Sequence, residues 1–135
     1  VNYSSKLYGQ VWVFFDKYDY SDEQFNNAII NCNYNTCWSN LNFELWLLSH
    51  FKIVNKYISK DNILSELNKE FQKNGLSKYT KNDIDIFEKV TKGGKLYEAI
   101  KNCEHMDNVN INKQASERNP VTKVYKIFDV LKEYI

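Results

Sequence analysis

A continuous apolar run from Val11 to Phe15, ended by Asp16, constrains the fold of this chain more than any other segment. Five apolar residues without polar alternation predict a strand that is buried on both faces, as in a parallel sheet. Ser21 to Gln24 then fit a capping box at the start of a helix, and Thr36 to Ser39 fit a second short strand. Strand, helix and strand in this order predict a right-handed βαβ unit, and therefore an α/β fold with a small, mainly parallel sheet.

Helical periodicity dominates the remainder, so the C-terminal half should be rich in helices. The predicted helices run from Asn42 to Val54, from Asp61 to Asn74, from Asn82 to Gly93, and from Lys95 to Glu104. The first is apolar on all sides, which predicts a central, buried helix. The third should turn Ile84, Phe87 and Val90 inward.

The end of the chain predicts a loop followed by a last helix. The segment 106–118 is polar and has no clear period, so we predict a flexible loop there. Asn119 should cap the last helix, with Pro120 at its first position. The buried face of that helix should carry Val121, Val124, Phe128, Leu131 and Ile135.

Length and composition predict a single globular domain spanning residues 1–135. The net charge of +1 gives no overall attraction to polyanions, so any nucleic-acid binding requires a local basic patch. The three cysteines form no CxxC pair, which predicts free thiols and a reducing cytoplasmic location. The apolar run from Phe43 to Phe51 is too short to span a bilayer, so we expect no membrane association.

Polar residues follow both predicted strands, and parallel strands end at the same edge of a sheet. Asp16 and Asp19 follow the first strand, and Ser39 and Asn40 end the second. Ligands of open α/β sheets gather at this edge, and two carboxylates there can share a Mg²⁺ ion. The competing interpretation makes Asp16 and Asp19 ordinary loop residues. Ser39, Asn40 or Asn42 equally fits the role of a cap for the next helix.

Glu44 and His50 are the only ionisable residues of the predicted buried helix before Lys52. An unpaired buried carboxylate costs several kcal/mol, so Glu44 requires a metal ion, a lysine or backbone N–H groups as its partner. His50 shares its face with Trp46 and Leu47, and there a hydrogen-bonded core histidine competes with a catalytic or metal-binding one.

A basic region in the middle of the chain fits contact with a nucleic-acid backbone. Its lysines are Lys73, Lys78, Lys81, Lys92 and Lys95, with Tyr79 among them. A solvated helix surface would produce the same pattern. The sequence contains no glycine-rich nucleotide loop, no nucleophile elbow and no cysteine or histidine spacing typical of zinc sites.

Three segments together resemble the RloB-like family: Phe43-Glu44-Leu45-Trp46 with His50-Phe51, the run Val11 to Asp16, and Asn119-Pro120-Val121-Thr122. That family is encoded beside restriction-modification and abortive phage-infection loci, and is grouped with Toprim-type metal-dependent nucleases. The resemblance implies a bacterial antiviral defence effector, a Mg²⁺-dependent nuclease of DNA or RNA that acts with a partner ATPase. Under this nuclease hypothesis Asp16, Asp19 and Glu44 would hold the metal and carry catalysis, and Lys78, Lys81, Lys92 and Lys95 would bind nucleic acid, with Lys81 also matching a lysine-bearing segment of the family. Ser39, Asn40, His50 and Asn119 would support the site, Asn119 on the resemblance alone.

The chain departs from the family pattern in two ways. Tyr18 stands where the family has the second aspartate of an Asp-x-Asp motif. The family also has an earlier strand with an acidic residue, so we expect these residues to be the C-terminal portion of a longer protein. The alternative functions are therefore a non-catalytic module that binds nucleic acid or a defence partner, and a structural subdomain that docks the ATPase.

Overall fold

The computed structural model describes residues 9–92 and 95–132. The strands in this part are β1 (Trp12–Asp16), β2 (Asn35–Asn40) and β3 (Val121–Thr122). The α-helices are α1 (Asp22–Asn31), α2 (Glu44–Ser49), α3 (Lys60–Lys73), α4 (Ile86–Thr91), α5 (Lys95–Val109) and α6 (Tyr125–Leu131), with a 3₁₀ helix at Ala115–Glu117. The predicted α/β fold class is confirmed.

The sheet has the order β1-β2-β3 and is mixed. β1 and β2 run parallel, and Asp16 lies opposite Ser39 at the end of the register. β3 runs antiparallel to β2, with Asn40 opposite Val121. The carboxyl ends of β1 and β2 therefore meet at one edge, as the βαβ prediction requires.

Helix α1 begins where the capping box predicts and covers one face of the sheet. The hydroxyl of Ser21 accepts a hydrogen bond from the Gln24 N–H, and the Gln24 side chain accepts one from the Ser21 N–H. Phe25 then packs edge-on against Phe15 and Trp38, with ring centroids 5.8 and 5.4 Å apart. Because side chains alternate along a strand, β1 and β2 also present residues to the opposite face, where Cys37 belongs to the larger core and Trp12 packs against it.

That larger core is built around α2, which is shorter than predicted. All six residues of α2 are buried. The helix ends at Ser49, whose hydroxyl donates to the Leu45 carbonyl at 2.7 Å, and His50 Nδ1 lies 3.0 Å from the Trp46 carbonyl. These side chains satisfy carbonyls at the end of the helix, so the chain turns away instead of continuing to Val54.

Helix α3 matches its prediction within one residue at each end. Ser59 accepts the N–H of Asn62 as the N-cap, and the buried residues Ile63, Leu67 and Phe71 form the inner stripe. Gly75 follows the helix with φ of +70°, a conformation that favours glycine.

The prediction that Ile84 and Phe87 point inward is wrong, whereas Val90 is buried as predicted. Helix α4 begins only at Ile86, and Asp83 stands before it, accepting from the Asp85 N–H and pairing with Lys89. The later start leaves Ile84 95% exposed and Phe87 53% exposed.

The prediction of a loop over 106–118 is wrong at its start, because α5 continues to Val109. Met106, Asp107 and Asn110 are buried. The cationic neighbours of Asp107 compensate the cost of burying its carboxylate. Residues 115–117 form the short 3₁₀ helix. The mobility of the segment stays a prediction.

Asn119 does not cap a helix. The Asn119–Pro120 peptide is cis, and Val121 and Thr122 form β3 before α6 starts at Tyr125. Both β3 residues are β-branched, and their strand propensity prevails over the proline-first helix pattern. Val124 is buried as predicted, but Leu131 is exposed, and Ile135 lies outside the described residues.

β1 is not buried on both faces. Within residues 9–92 and 95–132 only β2 pairs with it, so β1 is an edge strand and Phe14 is exposed. None of the helices in this part of the chain is long and apolar enough to cross a membrane.

Candidate functional site

Asp16 is held at the start of α2 by backbone hydrogen bonds. After β1 the Lys17 N–H donates to the Ser39 carbonyl at 3.0 Å, and the Tyr18 N–H donates to the Leu41 carbonyl at 3.1 Å. The Asp16 carboxylate accepts the backbone N–H of Phe43. The acidic loop and the first turn of α2 therefore lie together.

Glu44 is the most buried carboxylate at this edge. It lies in the first turn of α2 with only 4% of its surface exposed. Among the described residues, no hydrogen-bond donor or cation contacts it, and its electrostatic neighbours are Asp16 and Tyr79. The macrodipole of so short a helix offsets only a fraction of the cost of burying a charge.

Burial raises the pKa of Asp16 above its usual value, and the nearby Glu44 charge raises it further. The Phe43 N–H and the Lys81 charge act in the opposite direction. Two carboxylates that repel each other in a partly buried place favour either a shared proton or a shared cation. We call Asp16 and Glu44 the carboxylate pair.

Tyr79 completes the surroundings of the carboxylate pair. Burial and the charges of Glu44 and Asp16 raise its pKa to about 12, so its hydroxyl stays protonated at neutral pH. Its backbone N–H donates to Asn68 Oδ1 at 2.9 Å, which anchors the segment after α3. In the sequence, Tyr79 lies in the basic region with the lysines. No local pattern indicates that it lies near Asp16 at the end of β1.

Asp19 is exposed and lines a cavity of about 440 Å³ together with Asp16, Phe14 and Phe43. Within residues 9–92 and 95–132, no three side chains of His, Cys, Asp or Glu are arranged to hold a metal ion. The predicted ligand set therefore reduces in this structure to the carboxylate pair, with Asp19 at the rim. Magnesium ions are often bound through one or two carboxylates with substrate phosphates completing the shell, and the pair fits that arrangement.

The prediction that Ser39, Asn40 or Asn42 caps α2 is wrong, because the N-cap is Phe43 and has no side-chain cap. The Ser39 hydroxyl lies 2.8 Å from that of Thr122, which ties β2 to β3. Asn40 donates to the carbonyls of Ala115 and Ser116, at 3.0 Å each. Both side chains hold the sheet edge together.

His50 is a buried, neutral core residue. Burial lowers its pKa to about 4, although carbonyls of α2 lie within hydrogen-bond distance of Nδ1. Its Nε2 is buried without a partner within the described residues, as are both side-chain polar atoms of Asn42. The structure gives His50 no contact with Asp16 or Glu44 in this part of the chain.

Of the predicted nucleic-acid lysines, the structure brings Lys81 to the carboxylate pair, where its charge acts on Asp16. Lys95 instead lies over the Phe51 ring and donates to Asn74 Oδ1 at 2.7 Å. Lys78 and Lys92 are exposed, at the edge of α3 and the end of α4. The Gly93-Gly94 pair between Lys92 and Lys95, whose sequence fits either a phosphate-binding loop or an ordinary turn, lies outside the described residues.

Asn119 clamps the loop between α2 and α3. Its Oδ1 accepts the Ile58 N–H and its Nδ2 donates to the Ile58 carbonyl, both at 2.9 Å. It therefore supports the position of that loop.

Sequence reasoning missed a buried ionic network behind the sheet. Asp107 accepts from Lys123 at 2.5 and 2.7 Å and from the Tyr125 hydroxyl at 2.6 Å, with Arg118 at 3.6 Å. Burial lowers the pKa of Lys123, and burial together with Asp107 raises that of Tyr125. The network joins α5 to β3 and α6.

These features define a small mixed α/β protein with a carboxylate pair at the carboxyl ends of two parallel strands. The model of the RloB-like protein family matches residues 1–131, so the chain belongs to the RloB-like family. This confirms the resemblance predicted from the sequence. No curated protein and no solved structure matches the chain.

Proposed function

We propose that the protein is a Toprim-type, Mg²⁺-dependent nuclease that serves as an abortive-infection effector of antiviral defence. The observation that carries this proposal is the carboxylate pair: Glu44 has only 4% of its surface exposed, and its charge acts on the partly buried Asp16. A cation held by both carboxylates would remove their repulsion and compensate the burial of Glu44. Membership of the RloB-like family supports the defence setting and the partner ATPase.

In this mechanism Asp16 and Glu44 would hold the ion, and Asp19 lies beside Asp16 on the wall of the same cavity without completing a three-ligand group among the described residues. A Mg²⁺ ion held by these carboxylates would supply Lewis-acid polarisation of a phosphodiester and compensation of negative charge on its oxygens. The Phe43 N–H fixes the orientation of the Asp16 carboxylate. The ordered backbone around Lys17 and Tyr18 keeps the acidic loop against α2, so the pair is preorganised.

Two neighbours of the pair have separate roles. Lys81 contributes a positive charge beside Asp16, where it attracts the phosphate of the substrate. Tyr79 keeps its proton and is a hydrogen-bond donor for a phosphate oxygen. Neither residue competes for the ion, since one is a cation and the other a neutral phenol.

The test is cleavage of labelled DNA and RNA, single-stranded and duplex, by the full-length protein with Mg²⁺ or Mn²⁺. We expect cleavage that Asp16→Asn and Glu44→Gln abolish, because each variant removes one negative ligand. Glu98→Gln is the matched control, an exposed carboxylate on α5. A full-length protein that cuts neither DNA nor RNA under any divalent metal contradicts the proposal.

A second candidate is a non-catalytic module that binds nucleic acid or a defence partner. It is favoured by Tyr18 at the expected aspartate position and by the absence of a three-ligand group within the described residues. This candidate predicts that nucleic-acid binding is the same in EDTA and in Mg²⁺, and that no condition yields cleavage products. Substitution Tyr18→Asp separates the two functions, since gained or increased cleavage shows that the site is an impaired nuclease centre.

A further inference from the structure

A cavity of about 470 Å³ opens between α3 and the loop that joins it to α2, away from the carboxylate pair. Its volume is within the range of ligand sites, about 300–1,000 Å³. The floor contains Leu48, Val54 and Ile58, and the rim carries Lys56, Tyr57 and amides. An apolar floor with a polar, aromatic rim fits a flat heterocycle that also has hydrogen-bonding edges.

Tyr57 is the most conspicuous residue of this rim. It is 74% exposed, although it stands in a loop whose neighbour Ile58 is buried. Exposed aromatic rings beside a cavity are stacking surfaces for unpaired bases, because every base has a flat π-face. Asn55 and Asn62, also on the cavity wall, carry donors and acceptors suited to base edges.

The charges around the cavity favour an anionic ligand. Lys52 and Lys56 line it, and Lys60 begins the helix at its end. Glu66 is the one acidic side chain among the lining residues, and both Lys52 and Lys69 pair with it, at 3.1 and 3.2 Å. Lys56 and Lys60 therefore remain to contact phosphates, since no ion pair engages them within the described residues.

The cavity is connected to the carboxylate pair by a second basic and aromatic contact. Lys60 Nζ lies 4.0 Å from the ring centre of Tyr18, which is half exposed. Tyr18 is two residues from Asp16, and Lys60 is three residues from Tyr57. The Lys60–Tyr18 contact therefore joins the segment that carries Tyr57 to the segment that carries Asp16.

The loop carrying Tyr57 is held in place before any ligand binds. Asn119 makes two hydrogen bonds to the backbone of Ile58, and Ser59 caps α3 immediately after it. A preorganised loop lowers the entropic cost of binding, so a single exposed ring can contribute measurable affinity.

We propose that this cavity binds single-stranded nucleic acid, with a base stacked on Tyr57 and phosphates at Lys56 and Lys60, and directs the strand over Tyr18 to the carboxylate pair. Delivery of the strand to the carboxylate pair rests on the proposed nuclease function. Binding of the strand in the cavity does not depend on it. A duplex does not fit, because its bases are already stacked and cannot reach the ring.

The experiment measures fluorescence anisotropy of a labelled 12-nucleotide single strand, as RNA and as DNA, with the full-length protein in EDTA. Tyr57→Ala should weaken binding about 5- to 150-fold, which corresponds to the loss of one base–aromatic stack, and Tyr57→Phe should retain the binding. The matched control is Tyr97→Ala, since Tyr97 on α5 is 76% exposed and lies outside the cavity lining. The logarithm of the binding constant falls linearly with the logarithm of the salt concentration, and Lys56→Gln and Lys60→Gln should each make that slope shallower by about one unit.

Two outcomes overturn the proposal: Tyr57→Ala binding like Tyr97→Ala, or the wild type binding the matching duplex as tightly as the single strand. Because the measurement is made in EDTA, it is independent of cleavage. Loss of cleavage in Asp16→Asn with unchanged anisotropy supports both proposals. Binding that depends on Tyr57 in a protein that never cleaves supports the cavity and removes the nuclease.

Discussion

At the scale of single residues, Glu44 and His50 show how one short helix accommodates two ionisable groups differently. His50 gives up its charge and satisfies carbonyls of its own helix with Nδ1. Glu44 lies at the other end of α2, where its charge acts on a second carboxylate, Asp16, and no hydrogen bond or ion pair engages it within the described residues. A group of the first kind contributes to the fold, and a group of the second kind is typical of a binding site.

The first prediction is that Glu44→Gln stabilises the metal-free protein. The amide removes the repulsion with Asp16 and the cost of burying a charge. The free energy of unfolding, measured in urea with EDTA, should therefore be higher by about 1 kcal/mol. The exposed control Glu98→Gln should change the unfolding free energy by less than about 0.5 kcal/mol. A clear destabilisation by Glu44→Gln would instead identify Glu44 as a structural residue.

The second prediction concerns His50 and acid. Its folded pKa of about 4 lies below the ordinary 6.5, so the unfolded chain binds the proton more tightly. The contribution of neutral His50 to the free energy of unfolding is therefore fully present above pH 6.5. This contribution is lost as the pH falls towards 4, and the total loss is roughly 3 kcal/mol.

The measurement is urea unfolding of wild type and His50→Asn at several pH values between 4 and 7. Asparagine keeps a donor near the position of Nδ1 but does not titrate, so the difference between the two proteins should shrink as the pH falls. His105→Asn is the control, because His105 is exposed on α5. Parallel stability profiles of wild type and His50→Asn would contradict the prediction.

At the scale of elements, the predictable parts are those with local causes. The capping box at Ser21 and the serine cap at Ser59 satisfy their own helix starts, and the sequence locates both helices closely. The segment after Asn119 could not be predicted in this way. Its β3 residues pair with β2, about eighty positions earlier in the chain. No local sequence pattern predicts a partner at that distance.

The same reasoning explains the error at 106–118. Asp107 and Asn110 look like loop residues, yet both are buried: distant groups pair with Asp107, and Asn110 donates to the Met106 carbonyl of α5. Lys123 and Tyr125 reach Asp107 only after β3 has turned the chain back. Tertiary hydrogen bonds thus override the polarity of the segment.

The third prediction tests this network. Asp107→Asn keeps the shape but removes the charge that compensates the buried Lys123, so the protein should lose about 3–5 kcal/mol of stability. Urea unfolding at neutral pH measures the loss, and the exposed Asp129→Asn is the matched control. The double variant Asp107→Asn with Lys123→Met should recover part of the loss, since no unpaired buried charge remains. Equal losses in the single and double variants would argue against a charge effect.

At the scale of the whole molecule, the meeting of Asp16 and Glu44 follows from topology. Parallel neighbours end at the same edge, and α2 starts directly after β2. The approach of Tyr79 and Lys81 could not be predicted, because it depends on where the segment after α3 packs. The cavity beside Tyr57 likewise depends on the clamp by Asn119, which sequence reasoning assigned to a helix start.

The fourth prediction links metal binding to the stability of the whole molecule. A ligand that binds only the folded state stabilises it by RT ln(1 + [L]/Kd), about 2.7 kcal/mol at 100 times Kd. Mg²⁺ or Mn²⁺ should therefore raise the melting temperature of the full-length protein over that in EDTA. The increase should disappear in Asp16→Asn and Glu44→Gln and persist in Glu98→Gln, because the proposed function assigns the ion to the carboxylate pair. An equal increase in all four proteins would show nonspecific binding of the ion, and no increase at millimolar metal would favour the non-catalytic module.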